Sequence, residues 1–197
     1  LGTLLAVGLL VFAWRRYAEQ RRETTARIAA ERHARELAYQ DGLTGLPNRR
    51  QFDEVLRAAL AAPPRAGASH GLFLLDLNGF KQVNDRHGHG TGDKLLVVVA
   101  ERLQSSMREG TLVARLGGDE FAIVAHHLPA PEAAAAIALR VIEALAVPVS
   151  ISGTLHHIGV AIGIGLLPTD ADEPEEAMRR ADVALYRAKT ERRSAFR

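Results

Sequence analysis

The sequence predicts an α+β fold, a single sheet with helices packed against it, and three observations carry that prediction. Short apolar runs such as GLFLLDL (71–77) read as buried strands. Two more runs, TLVARL (111–116) and FAIVAH (121–126), flank Gly117 and Gly118 and read as a hairpin, because a tight tip needs residues that tolerate positive φ. Longer stretches show helical spacing instead: in the last of them Met178, Ala181, Leu185 and Ala188 follow at intervals of 3, 4 and 3 and mark a core face.

Residues 1–14, LGTLLAVGLLVFAW, are uncharged and run into RRYAEQRR. A spanning helix needs roughly 20 apolar residues. The chain starts at Leu1, so the stretch is expected to be the end of a transmembrane helix, with its Arg-rich flank on the cytoplasmic side. A signal peptide would carry its charges before the apolar run. Residues 15–40 hold neither Gly nor Pro and predict a long helix with a ragged seam of Tyr17, Thr24, Ile28, Leu37 and Ala38. Such a helix is either a solvated connector or a parallel dimer stalk that transmits a signal from the membrane.

DGLTGLPNRR (41–50) breaks that helix, and Asn48 is placed to cap the next one over about 49–61. Beyond the strand at 71–77, Gly79, Phe80 and Lys81 open a short helix, and a second helix is predicted from Gly92 to Met107. After the hairpin come a helix over 131–146, strands near 149–152 and 155–166, and a helix from Pro174 to about Arg192. PPRAGASHG (63–71) and LPTDADEP (167–174) are loops.

Composition narrows the function. The 197 residues are 47% hydrophobic and lack cysteine, which supports a core and excludes disulfides and thiolate zinc sites. Residues 1–41 carry seven Arg against five acidic side chains, whereas 42–197 carry eighteen of each sign. A neutral globular part argues against nucleic acid as a partner.

The hairpin glycines explain themselves, but Asp119 and Glu120 beside them do not. Asp119 sits next to a tip where backbone can approach a ligand, and LLDLNGFK brings Asp76 to the end of another strand. Two strand-end aspartates in one sheet can hold Mg²⁺ through hard oxygens, with substrate phosphates completing the shell. The free N–H groups of the helix opened by Gly79, Phe80 and Lys81, with the lysine charge, suit a phosphate.

Here the chain resembles a known family. GGDEF (117–121) is the signature of the GGDEF-domain diguanylate cyclases, and DGLTGLPNRR, DLNGFKQVNDRHGHGTGDKLL, RLGGDEF and ADVALYRAK stand in family order over about residues 41–193. The resemblance implies a ferredoxin-like, palm-type sheet that condenses two GTP to cyclic di-GMP and two pyrophosphates across a homodimer, with two Mg²⁺ (or Mn²⁺) per site. It implies that Asp76, the Leu77 carbonyl and Asp119 bind metal, and that Asp119 is also the base toward the 3′-hydroxyl. It makes Glu120 the second signature acid, near the metal region. Lys81 would stabilise phosphate charge, Lys189 and Arg193 would reach the same phosphates, and Asn84 and Asp93 would read guanine with His89 close by. The expected organisation is a membrane end (1–14), a stalk (15–40) and a cyclase domain (41–197), held at a bacterial inner membrane with its catalytic part in the cytoplasm.

Other motif readings fail. GHGTGDK lacks the Gly-Lys-Ser/Thr ending of a P-loop, DLNGF lacks EF-hand spacing, and eight histidines without cysteine or HExxH make a poor zinc site. Two departures from the family stand out. The tail AKTERRSAFR has Arg192 and Ser194 where Gly and Asn are usual, and the inhibitory RxxD motif reads REGT, with Arg108 kept and Thr111 in place of the acid. A noncatalytic GGDEF module, acting as nucleotide sensor or scaffold, is the alternative class; such modules generally lose signature acids, and this chain keeps them.

Overall fold

The computed structural model describes residues 14–25, 27–28, 38–62, 64–190 and 195–196. The chain divides into two units, Leu1–Ala38 and Tyr39–Arg197. In the first, residues 14–25 and 27–28 are helical, with Trp14, Tyr17 and Ile28 exposed. The rest of the expected stalk up to residue 37, and residues 1–13 of the expected membrane end, lie outside the described residues.

One expectation is overturned. Among the described residues no helix is long and apolar enough to cross a membrane, so the inner-membrane assignment has no support. The physical reason lies in the described helix over 14–25, which carries Arg15, Arg16, Glu19, Arg21 and Arg22 and is too charged to lie in a bilayer.

The second unit runs α1 (Arg49–Ala61), β1 (Ser69–Asn78), α2 (Phe80–His87), α3 (His89–Ser106), β2 (Leu112–Gly117), β3 (Glu120–Leu128), α4 (Pro131–Ala146), β4 (Val149–Ile151), β5 (Thr154–His156), β6 (Gly159–Leu167), α5 (Pro174–Thr190) and β7 (Ala195–Phe196). The main sheet has the order β2-β3-β1-β6-β7, antiparallel except for the β6–β7 pair. The predicted α+β class holds. Asn48 caps α1 as expected, its side chain accepting the Gln51 N–H at 3.2 Å.

Two boundaries differ from the sequence reading. Helix α3 starts at His89 rather than Gly92. The strand expected over 155–166 is two strands: β5 turns back on β4, with Val149 opposite His156, and only β6 joins the main sheet. The His156–His157 pair marks the place of the break, but a local pattern does not say that the chain changes sheets there.

Strand β1 is buried on both faces, which is why it reads as a continuous apolar run. Phe73, Leu75 and Leu77 share a core with Phe121, Ile123, Leu95 and Val99; Leu72 and Leu74 share the other with Phe52, Leu56, Ala181 and Leu185. Helix α5 lies so close to β6 that a Cβ at Gly163 would collide with the Ala181 carbonyl. Glycine there lets the helix descend onto the sheet, and this approach sets where Lys189, in its last turn, ends up.

Candidate functional site

The site forms where β1 ends beside the β2–β3 tip. Asp76 is in register with Glu120 on β3 and with Ala161 on β6. One residue on, the Leu77 N–H donates to the Asp119 carbonyl at 3.3 Å, which draws the tip against the strand end. The sheet thus brings Asp76, Leu77 and Asp119 together from distant parts of the sequence. From the opposite end of the chain, Lys189 donates to Asp76 Oδ2 at 2.7 Å, with the carboxylate 18% and the lysine 40% exposed.

Electrostatics marks the same place. The Asp119 carboxyl is held above the ordinary aspartate value of 3.8, first by burial and then by the Asp76 charge, while Lys189 and Arg115 only partly compensate. The two neighbouring carboxylates are only partly balanced by Lys189 and Arg115, and a hard cation would complete the balance.

Sequence reasoning misses what holds the tip. Arg115, at the end of β2, donates through Nη1 to both carboxylate oxygens of Asp41 (2.9 and 3.0 Å) and through Nε and Nη2 to the Gly118 carbonyl (3.1 and 2.8 Å). Its own N–H donates to the Pro47 carbonyl at 2.9 Å. Asp41 in turn accepts the Thr44 N–H and hydroxyl, so the DGLT turn and the signature tip share one clamp. Burial works against the Asp41 charge, but the hydrogen bonds from Thr44 and Arg115 outweigh it and its pKa lies below 3.8. The only sequence signal is an Asp and an Arg in glycine-rich turns, with nothing to pair them.

Arg115→Ala is therefore expected to cost about 2 kcal/mol, the loss of a largely buried charge-assisted pair, and to reduce any turnover at least about 10-fold. Denaturant unfolding and initial rates check it, and Arg115→Lys should recover little, because lysine has no fork to reach both partners. The clamp contributes fully above pH about 3.8 and is lost as pH falls through the lower folded value, a component that Asp41→Asn should remove.

The remaining expected residues fall as follows. Gly79 (φ 86°) turns β1 into α2, and exposed Lys81 stands in the first turn of that helix. Phe80 opens α2 as expected, and its ring is 8% exposed in the core with Val83 and Leu95, so its part in the site is confined to its backbone. Asn84 packs over Gly92, where a Cβ would collide with its side-chain oxygen, and that oxygen is buried without a partner. Asp93 and His89 are exposed on the first turns of α3. Glu120 shares a face with Asp76, yet its carboxylate turns to Arg49 at 3.8 Å and lines a groove of about 330 Å³ between α1 and α5. Arg193 lies outside the described residues. Arg108 is not part of this site: with Thr111, His126 and Arg140 it lines a separate groove of about 630 Å³.

The residues fit a divalent cation through two carboxylates and the Leu77 carbonyl, all hard oxygens. Among the described residues no group of three or more His, Asp or Glu side chains is placed to hold a metal ion.

Comparison with known proteins follows the same lines. The family description "Diguanylate cyclase, GGDEF domain" matches residues 38–195. An uncharacterized signaling protein of Caulobacter vibrioides is 44% identical over 177 residues, covering 89% of this chain and 22% of that protein. Diguanylate cyclase TpbB of Pseudomonas aeruginosa is 39% identical over 161 residues, 81% of this chain and 37% of that one. The crystal structure of the coiled coil and GGDEF domain of DgcB from Caulobacter crescentus, in complex with c-di-GMP, superposes with a TM-score of 0.80 at 29% identity, covering 91% of this chain and 95% of that one. The chain thus spans well under half the length of these two curated relatives.

Proposed function

Because the chain belongs to the GGDEF diguanylate cyclase family, we propose that it is an active cyclase, joining two GTP into cyclic di-GMP with release of two pyrophosphates. The observation that carries this reading is the meeting of Asp76, Asp119 and Lys189 at one sheet end, with the Asp119 carboxyl pushed up by burial and by its neighbour. A carboxylate of raised basicity is suited to take a proton.

In this reading Asp119 accepts the proton of the 3′-hydroxyl that attacks the α-phosphate of a second GTP, and pyrophosphate leaves. Lys81, Lys189 and Arg193 balance charge on the phosphates, and the backbone N–H groups at the start of α2 orient them. Asn84 and Asp93 accept from the N1–H and 2-amino groups of guanine. Mg²⁺ (or Mn²⁺), two ions per site, held by Asp76, the Leu77 carbonyl and Asp119, would polarise the phosphates and lower the pKa of the attacking hydroxyl. Each domain holds one GTP, so two copies must meet face to face as a homodimer, and the segment over 15–40 is the stalk that sets how often they do. The direct test is incubation with GTP and Mg²⁺, reading cyclic di-GMP and pyrophosphate.

Two further results are expected. For the chain lacking residues 1–38, specific activity should rise with protein concentration, and fusion to a strong parallel dimeric coiled coil should flatten that dependence. A flat profile without any stalk would contradict the half-site reading. Product inhibition should be weak, because Thr111 supplies no carboxylate beside Arg108. A cyclic di-GMP titration of initial rate should show Thr111→Asp tightening inhibition by about 10- to 100-fold, the worth of one charge-assisted pair.

A further inference from the structure

The turn between α2 and α3 is held mostly by its own bonds. The Gly88 N–H donates to the Asn84 carbonyl (2.8 Å), the Thr91 hydroxyl to the His87 carbonyl (2.9 Å) and the Thr91 N–H to the Gly88 carbonyl (3.1 Å). None of these ties it to the β4–β5 hairpin. A side-chain contact does: the exposed His87 ring meets the His156 ring edge to face, with centroids 4.8 Å apart and planes at 89°. His156 is 5% exposed at the end of β5, and its register partner Val149 belongs to the same apolar core as Phe80 and Val83 of α2. One ring is therefore fixed by the core and the other ends a helix.

That helix carries Asn84 one turn before His87, on the same side. The buried, unpartnered Asn84 oxygen rests over Gly92, one residue before Asp93. Any tilt of α2 against α3 moves the Asn84 oxygen relative to the Asp93 carboxylate, and a base held by both feels the change in spacing. We infer that His156 is a positioning residue for base selection, acting through His87 to hold the α2 end at the spacing that guanine requires. The inference rests on the guanine reading above and names His156, a residue that neither the quoted motifs nor the phosphate site includes.

The test is a double-mutant cycle in the 197-residue chain: His87→Ala, His156→Ala and both together, with His156→Phe retaining the ring. Each protein is assayed for GTP and for inosine triphosphate, which lacks the 2-amino group, and its thermal melting is recorded. Each alanine variant should raise the GTP KM by about 2- to 10-fold, the range an aromatic edge contact spans, with kcat within about twofold. The preference for GTP over inosine triphosphate should narrow. The double variant should be no worse than either single, and His156→Phe should restore the parent values.

His87 is exposed, so His87→Ala tests the contact even if His156→Ala fails to fold. Additive losses, an unchanged KM in His87→Ala, or a fall in kcat at constant KM would overturn the inference while leaving the guanine reading intact. A parent protein that does not distinguish GTP from inosine triphosphate would overturn the guanine reading and the inference together.

Discussion

Asp119→Asn is expected to lower turnover by on the order of 10³-fold and, in the absence of divalent cation, to raise rather than lower the melting temperature. The two signs come from one cause. Asp119 sits half-buried beside Asp76, and burial together with that neighbour's charge disfavours its ionised form. An acid whose folded pKa is raised binds more protons folded than unfolded, so its ionisation lowers stability as pH climbs from about 3.8 through the raised value. Asparagine keeps the shape and removes that penalty. The site is open enough for solvent to screen much of it, so the gain is small, about 1–2 °C. It should vanish below pH about 3.8, where the parent aspartate is protonated as well.

Mg²⁺ should reverse the order. A ligand that binds only the folded state stabilises it by about 1.4 kcal/mol at ten times its Kd, and the variant, with one carboxylate fewer, should gain much less. Melting curves with and without Mg²⁺ across about pH 3–8, beside initial rates, check both parts. Full activity in Asp119→Asn, or a lower melting temperature without metal, would contradict the assignment.

The second large effect is base choice: GTP is expected to be used and ATP rejected by on the order of 10⁴-fold in kcat/KM. The Asn84 side-chain oxygen is buried with no partner, an acceptor in want of a donor, and the Asp93 carboxylate stands exposed nearby on the next helix. Guanine presents N1–H and a 2-amino group along one edge, whereas adenine presents an acceptor and a C–H there. Placing adenine in that pocket leaves the buried Asn84 oxygen unpaired, which is the costly case for a polar group. Asp93→Ala should then cut the preference by about 10- to 100-fold through a higher GTP KM. The fold should hardly change, because an exposed side chain is removed. Comparable turnover of ATP by the parent protein would defeat the reading.

Much of this site is legible in the amino-acid order. Asp76 and Asp119 are legible because each stands in a quoted motif, DLNGFK and RLGGDEF, and strand periodicity locates both strand ends. Asn48 as a cap and the core face of α5 are legible because capping and helical spacing are local properties. The burial of the Phe80 ring is not, because a motif position does not say which way a ring points. The break between β5 and β6 is hidden because the pairing partner of β5 is β4, and partner choice is not a local property of the sequence.

By itself, then, the sequence determined the element types, the α+β class, the acids at the strand ends and the family to which they belong, all of which are written in local pattern. Only the tertiary structure decided which distant groups meet: Lys189 on Asp76 across 113 positions, Arg115 on Asp41 across 74, and the His87 ring on that of His156. Periodicity and motif spacing record how a segment sits on its own neighbours. Contacts between segments depend on the strand order and on approaches such as that of α5 over Gly163, where the room left by one missing Cβ sets the position of a charge in the last turn of the helix.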